Sequence, residues 1–286
     1  MKTCIIGGAN VDITATTLKS FVPNDSNPGT VRLSSGGVAR NIAHNLALMG
    51  NEIVFLTFFA GDTFGWFTAD SCRKANIDIS LCDTAPLGSR SIFLSINNVD
   101  GELIGGVSDM VTADSITPVW LASKLSKIEN VDVFVADANL SVDSLAYLID
   151  LVDEPLFIDA VSGAKAPKIK KAMALSKRKR VFTVKCNQME YECLKDVKGI
   201  TRLYVSRGND GLDVIENGKL THFPSLPCKV ENATGAGDAL MAGIIHAGPN
   251  ASIEEAASMG LKCAKITCEC PDTVNKQLKQ LYEQIS

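Results

Sequence analysis

Asn232-Ala233-Thr234-Gly235-Ala236-Gly237-Asp238-Ala239-Leu240 is the stretch from which the rest of the chain can be read. A β-type run over 228–231 precedes it, and a helical pattern over 238–247 follows. Small residues opening a helix let backbone N–H groups approach an anion closely, and the positive end of the helix dipole adds to the attraction. Asp238 stands in the first turn of that helix. A carboxylate there either caps the helix or lies beside a bound phosphate, in reach of a hydroxyl about to attack it. Spacing alone leaves both readings open. Gly235-x-Gly237 is a near miss for a dinucleotide fingerprint, because the third glycine is missing and the motif lies far from the first strand-to-helix turn. The P-loop pattern Gly-x4-Gly-Lys-Ser/Thr is absent, so phosphate must be held in another way.

Outward from this motif, short apolar runs alternate with helical patterns. Strands are expected at 4–6, 53–59, 133–136, 156–158, 181–184 and 203–206, and helices at 38–49, 66–74, 143–152, 165–176, 188–194, 238–247 and 253–268. Several strands are apolar on nearly every residue, as parallel strands covered on both faces are. The alternation predicts an α/β fold: a doubly wound, mostly parallel sheet flanked by helices. Two stretches interrupt it, at about 13–34 and 88–108. The second contains an alternating strand from Arg90 to Ile96 and then Asp100-Gly101, a hairpin signal. These insertions either stand alone on the surface or pair as a small sheet over the active face.

The 286 residues, 46% of them hydrophobic, suffice for a single large α/β domain, 1–286. A net charge of -4 gives no electrostatic reason to expect a nucleic-acid partner. The basic run Lys177-Arg178-Lys179-Arg180 reads as the solvated end of a helix. The apolar stretch 4–11 is short and runs into Asp12, which reads as a first strand and not a signal peptide. No apolar run approaches the ~18–20 residues of a membrane helix. Nine scattered cysteines argue against a disulfide framework, and Cys263, Cys268 and Cys270 lack the paired spacing of a zinc site. A reducing cytoplasm is the expected location.

Further polar constellations follow the expected strands, where ligands of α/β folds bind. Gly7-Gly8-Ala9-Asn10-Val11-Asp12 offers Asn10 and Asp12 either as grips for hydroxyls or as turn formers. Gly61-Asp62-Thr63-Phe64-Gly65 has the same ambiguity. Gly36-Gly37-Val38-Ala39-Arg40-Asn41 opens a helix, and Asn41 can donate and accept at once, which suits a diol. Asn187 and Glu190 share a helix face and suit a hydrated Mg²⁺, or form a capping box. Ser206-Arg207-Gly208 is either a phosphate-side turn or a plain one.

Taken in order, Gly36-Gly37-x-x-x-Asn41, Gly61-Asp62-x-x-Gly65, Asn187-x-x-Glu190, Ser206-x-Gly208 and Thr234-Gly235-Ala236-Gly237-Asp238 resemble the ribokinase-like, or pfkB, family of carbohydrate kinases across essentially the whole chain. The resemblance implies an ATP- and Mg²⁺-dependent kinase with a small sugar or nucleoside as acceptor. Asp238 would be the general base, and Gly235, Ala236 and Gly237 would form the anion hole with it. Asn10, Asp12, Gly36, Gly37, Asn41 and Lys165 would bind the acceptor. Asn187, Ser206, Gly208, Thr234 and Asn275 would line the nucleotide, and Asn187 and Glu190 would hold Mg²⁺ through water. The inserted stretches would be the family's β lid, through which a homodimer would form. Gly37-Val38-Ala39-Arg40-Asn41-Ile42-Ala43, Asp159-Ala160-Val161-Ser162 with Lys165, and Thr273-Val274-Asn275 are most similar to the branch that phosphorylates pseudouridine. Asn232 departs from the pattern: many members carry Asp there, and in several it helps hold an activating monovalent cation. Asn keeps an oxygen ligand but loses the charge.

Overall fold

Side chains alternate across a strand, so a strand that is apolar on both faces needs a core on each side. The computed structural model describes residues 1–283. In chain order its elements begin with β1 (Lys2–Ile6), β2 (Asn10–Thr17), β3 (Gly29–Gly36), α1 (Val38–Leu48), β4 (Glu52–Leu56), β5 (Phe58–Phe59), α2 (Thr63–Lys74), β6 (Asp83–Thr84), β7 (Ser91–Asn97) and β8 (Leu103–Met110). They continue with α3 (Pro118–Leu125), β9 (Val133–Asp137), α4 (Val142–Leu151), β10 (Leu156–Asp159), α5 (Pro167–Leu175), β11 (Val181–Asn187) and α6 (Gln188–Leu194). The last are β12 (Ile200–Ser206), β13 (Leu212–Glu216), β14 (Lys219–Phe223), α7 (Ala236–Ala247), α8 (Ile253–Cys268) and α9 (Lys279–Glu283).

The central sheet runs β14-β13-β12-β11-β10-β9-β1-β4, parallel from β4 to β12 and antiparallel over its last two strands. Ile5 of β1 packs with Ile42 and Leu46 of α1, Leu240 and Ile244 of α7, and Ala257 and Cys263 of α8. Cys4 and Ile6 face the other core, with Leu121 of α3, Leu145 of α4, Ile169 of α5 and Leu194 of α6. Each fully buried Leu or Ile of this kind contributes about 1.5–3 kcal/mol. The two inserted stretches form one four-stranded sheet, β3-β2-β7-β8, in which β2 and β7 run parallel. The strands of the first stretch reach beyond the expected 13–34 at both ends, whereas those of the second start at Ser91 and end at Met110 against the expected 88–108. Gly101, at φ 83, makes the turn that Asp100-Gly101 announced.

Three expectations need correction. The run 53–59 is not one strand: it breaks at buried Thr57, whose hydroxyl donates to the Gly7 carbonyl at 2.7 Å, and β5 pairs with β6 instead. The helix expected from residue 66 starts at Thr63, because Asp62 is its N-cap and accepts from the N–H groups of Phe64 and Gly65, both at 3.0 Å. Residues 228–231 form no strand. The N–H groups of Glu231 and Asn232 both donate to the Cys268 carbonyl at the end of α8 instead of to a neighbouring strand. The motif that opens α7 is thus tethered to a helix end.

Gly65 fits only without a side chain, since a Cβ would overlap the Ala60 carbonyl. Asp62→Ala should cost about 1 kcal/mol, the usual worth of a cap, and Gly65→Ala clearly more. Urea melts rank the two; an equal loss would mean that α2 does not sit this close to residue 60.

Candidate active site

The site begins where the loop after β1 meets the start of α1. Gly37 has φ 100, and a Cβ on it would overlap the Gly8 carbonyl, so glycine alone allows this approach. Asp137, at the end of β9, is 0% exposed. Its Oδ2 accepts from the N–H groups of Gly8 (3.0 Å) and Ala39 (3.1 Å), and its Oδ1 from that of Asn139 (2.9 Å). Burial pushes its carboxyl up, against those hydrogen bonds. Asn10 and Gly36 face each other across β2 and β3, and Asn10 donates to Asp12 Oδ1 at 2.6 Å. The Asp12 carboxylate lies over Gly36, where a Cβ would collide with it. Burial raises Asp12 too, opposed by Asn10 and by the charge of Arg40.

Asp238 is 9% exposed and lies in the first turn of α7. Asn41 Nδ2 donates to its Oδ2 at 2.7 Å. Behind it, Lys185 Nζ of β11 pairs with Asp159 Oδ2 of β10 at 3.1 Å. That ammonium also lies 2.8 Å from where a Cβ on Gly237 would stand. Burial and the nearby Asp159 charge push the Asp238 carboxyl up to about 7, against the pull of Lys185, Asn41 and Arg40. Burial alone would lower Lys185, but Asp159, Asp238 and Glu190 hold it above its ordinary value. Gly235 caps α7 at φ 85, no side chain caps that helix, and the missing Cβ makes room for the Thr273 carbonyl. An N-terminus of this kind, beside a lysine, can receive phosphate.

Asn187 and Glu190 form a complete capping box on α6. Asn187 Nδ2 also donates to Glu190 Oε1 at 2.7 Å. Burial raises the Glu190 carboxyl, while the Asn187 N–H and Lys185 pull it back. Ser206 is the register partner of Asn187, and its hydroxyl donates to the Cys186 carbonyl at 3.3 Å. Gly208 opens a 3-10 turn at φ 58. Arg207 pairs with Asp213 at 2.7 Å, whose other oxygen meets His222. Thr234 is exposed, and its N–H donates to Asn232 Oδ1 at 2.9 Å. Among the described residues no cluster of three or more His, Cys, Asp or Glu is arranged to hold a metal ion.

Direct contacts and register therefore bring together Asn10 and Asp12, Asn41 and Asp238, and Asn187, Glu190 and Ser206. Lys165 joins one step removed, through Asn139 Oδ1. Asn275 is buried with both ends of its amide in use, donating to the Ile266 carbonyl at 2.6 Å and accepting from the Gln277 N–H at 2.9 Å. It braces the segment behind Gly235. Sequence reasoning passed over Asp137 and Lys185 and gave Asp159 and Arg40 no role. Nothing local marks them, because register and packing assemble them.

The sequence model of the pfkB family carbohydrate kinases matches residues 1–280. This chain belongs to that family. It is 30% identical to the pseudouridine kinase of Escherichia coli strain K12, over 96% of this chain and 92% of that protein. A carbohydrate kinase from Agrobacterium tumefaciens superposes with a TM-score of 0.80 at 28% identity, over 98% of this chain and 96% of that one. Ribokinase from Thermotoga maritima superposes equally well, with a TM-score of 0.80 at 14% identity over 99% of both chains, so the fold is ribokinase-like. As a pfkB member the chain is a sugar or nucleoside kinase. No described helix is long and apolar enough to cross a membrane.

Asp238 titrates near 7 in the folded chain against an ordinary 3.8. Its contribution to stability is complete below the lower value and is lost as pH rises through the upper one. Asp238→Asn should therefore melt above the wild type at pH 8, with a much smaller gap at pH 5. A gap independent of pH would show that the carboxyl ionises normally.

Proposed function

We propose that the protein transfers the γ-phosphoryl group of ATP to the 5′-hydroxyl of a ribosyl substrate, with pseudouridine as the acceptor. The observation that carries this reading is Asp238: a buried carboxyl titrating near neutrality, hydrogen-bonded to Asn41, at the uncapped start of α7. A base works best with a pKa near the working pH. In the reaction the hydroxyl gives its proton to Asp238 and its oxygen bonds to the γ-phosphorus. The bond from that phosphorus to its bridging oxygen breaks, and ADP leaves. The N–H groups of Gly235, Ala236 and Gly237 would hold the transferring group, with Lys185 beside them. Such catalysis is mostly positioning and electrostatics. Mg²⁺, when bound, would neutralise the charge of the phosphates. The carboxylate of Glu190 and the amide of Asn187 would hold it through water.

On the acceptor side, Asn10, Asp12, Gly36, Gly37 and Asn41 would bind the ribose, and Lys165 the end nearer the base. Ser206, Gly208 and Thr234 would line the nucleotide phosphates, with Asn275 supporting them from within. The β3-β2-β7-β8 sheet would act as the lid that excludes water from the transfer. Val31, Leu33, Leu103 and Val107 leave this sheet with exposed apolar positions, which supports a homodimer formed through it. The unpaired cysteines suit a reducing cytoplasm. The choice of pseudouridine is supported by the Escherichia coli relative.

The test is incubation with ATP, Mg²⁺ and each of pseudouridine, uridine, adenosine, ribose and fructose, following ADP release and the mass of the product. Selective conversion of pseudouridine is expected, because a site that pairs the imide and carbonyls of its base rejects analogues that leave those groups unmatched. Conversion of another acceptor would keep the kinase and change its substrate. Absence of turnover with ATP bound would leave either an acceptor outside this panel or a sensor that has lost its chemistry. Asp238→Asn should lower kcat by roughly 10²–10⁴, the share of a general base. Asn232 uses its oxygen on Thr234 and its amide nitrogen on Pro271, so rates in potassium chloride and choline chloride of equal ionic strength should agree. Strong stimulation by potassium would mean that this loop reopens around a cation.

A further inference from the structure

Arg40 lies inside the 36–41 motif, yet the proposed reaction gives it no part. It is 3% exposed, a cation removed from water. Its guanidinium donates to the carbonyls of Ser35 and Gly36 at the end of β3 and to Asn41 Oδ1, and it meets His44 Nδ1 at 3.1 Å. Burial and the Arg40 charge push His44 down to about 4, so its neutral ring accepts that bond. Burying a guanidinium is costly unless its donors are matched, and here they are matched by groups that lead directly to the base.

The link is the Asn41 amide, which has one accepting end and one donating end. With Oδ1 turned to Arg40, Nδ2 is turned to Asp238 Oδ2. A flipped amide would set Nδ2 against the guanidinium and Oδ1 against the carboxylate, and both hydrogen bonds would be lost. We infer that Arg40 is a positioning residue: anchored on the end of β3, it fixes the Asn41 amide and so holds the Asp238 carboxylate with Oδ1 left for the acceptor hydroxyl. This rests on the proposed function, in which Asp238 is the base. Lysine cannot stand in, because a single ammonium lacks the rigid fork that spans carbonyls and amide together. The charged and titratable groups facing Arg40 are Asp12 of β2, Asp238 of α7, Cys72 of α2 and His44 of its own helix. Those facing Asp238 are Asp159 of β10, Lys185 of β11 and Arg40. Loss of the Arg40 charge removes a cation that favours the ionised base, so the acid limb of the rate profile moves to higher pH.

The experiment is a cycle of Arg40→Gln and Arg40→Lys in the wild-type and Asn41→Ala backgrounds. The readouts are kcat, both KM values, the pH profile of kcat/KM and the melting temperature. Arg40→Gln should lower kcat by roughly 10- to 100-fold, as small misplacements of a catalytic group do. The KM for ATP should stay within about twofold and the acid limb should rise. In the Asn41→Ala background the same change should alter kcat less than about threefold, because contributions made through one partner are not additive. Arg40→Lys, which keeps the charge and serves as the second variant if Arg40→Gln does not fold, should leave the limb in place and still lower kcat. Equal losses in both backgrounds, or full rescue by lysine, would overturn the inference. Asp238→Asn separates the two levels. If it keeps normal turnover, the base assignment itself fails. If it collapses while the Arg40 cycle is additive, only the role of Arg40 fails.

Discussion

The Asp137 carboxylate has no contact with solvent and accepts four hydrogen bonds: from the N–H groups of Gly8, Ala39 and Asn139 and from the Asn139 amide. Helix α1 has no side-chain cap of its own, so Asp137 supplies from β9 the negative charge that a helix start favours. One carboxylate thereby fixes three chain segments at the ends of β1 and β9. The loop after β1 leads into β2, which carries Asn10 and Asp12, and α1 carries Arg40 and Asn41, so the proposed acceptor side of the site depends on this joint. Without it each unmatched N–H would cost about 1–3 kcal/mol, and the two halves of that side would lose their common reference.

The same economy governs the charges around Asp238. Asp159 lies beside it, and Lys185 and Arg40 oppose that charge. A rise from 3.8 to about 7 corresponds to roughly 4 kcal/mol against ionisation. Burial outweighs two cations and a hydrogen bond, which says how dry the position is. Dryness destabilises the ionised carboxylate, and for the same reason would strengthen any interaction that a phosphate makes there. A site built to be stable alone would have exchanged Asp238 for a neutral residue.

The layered fold was legible in the sequence because its signals are local: apolar runs, glycines and caps. Where local signals were misread, the structure shows the competing one. Asn217-Gly218, both at positive φ, closes the β13–β14 hairpin and is a recognised hairpin pair that the alternation of strand and helix obscured. Thr117 followed by Pro118 opens α3 with a cap and a proline at its first turn. The site was legible only in part. Asp137, Asp159 and Lys185 form one row across β9, β10 and β11, with Asp137 opposite Asp159 and Asp159 opposite Lys185. In the sequence each is an isolated charge ending a hydrophobic run. Only parallel register makes them neighbours, and register is a property of pairs of strands.

Asn187 and Glu190 carry a structural role that their proposed Mg²⁺ role would have to share. The capping box is formed, and it leaves the Glu190 carboxylate in a single orientation beside Lys185. Helices α2, α3, α4, α6 and α8 begin with capping side chains, Asp62, Thr117, Ser141, Asn187 and Ser252. Helices α1, α5 and α7 have no side-chain cap, and of these α7 begins with Gly235 in the left-handed region. Its first-turn acid, Asp238, bonds not to that turn but to Asn41. The spacing that allowed Asp238 to be a cap is therefore resolved by geometry: the carboxylate turns away from its own helix, and the helix start is left open to the phosphate of the proposed reaction.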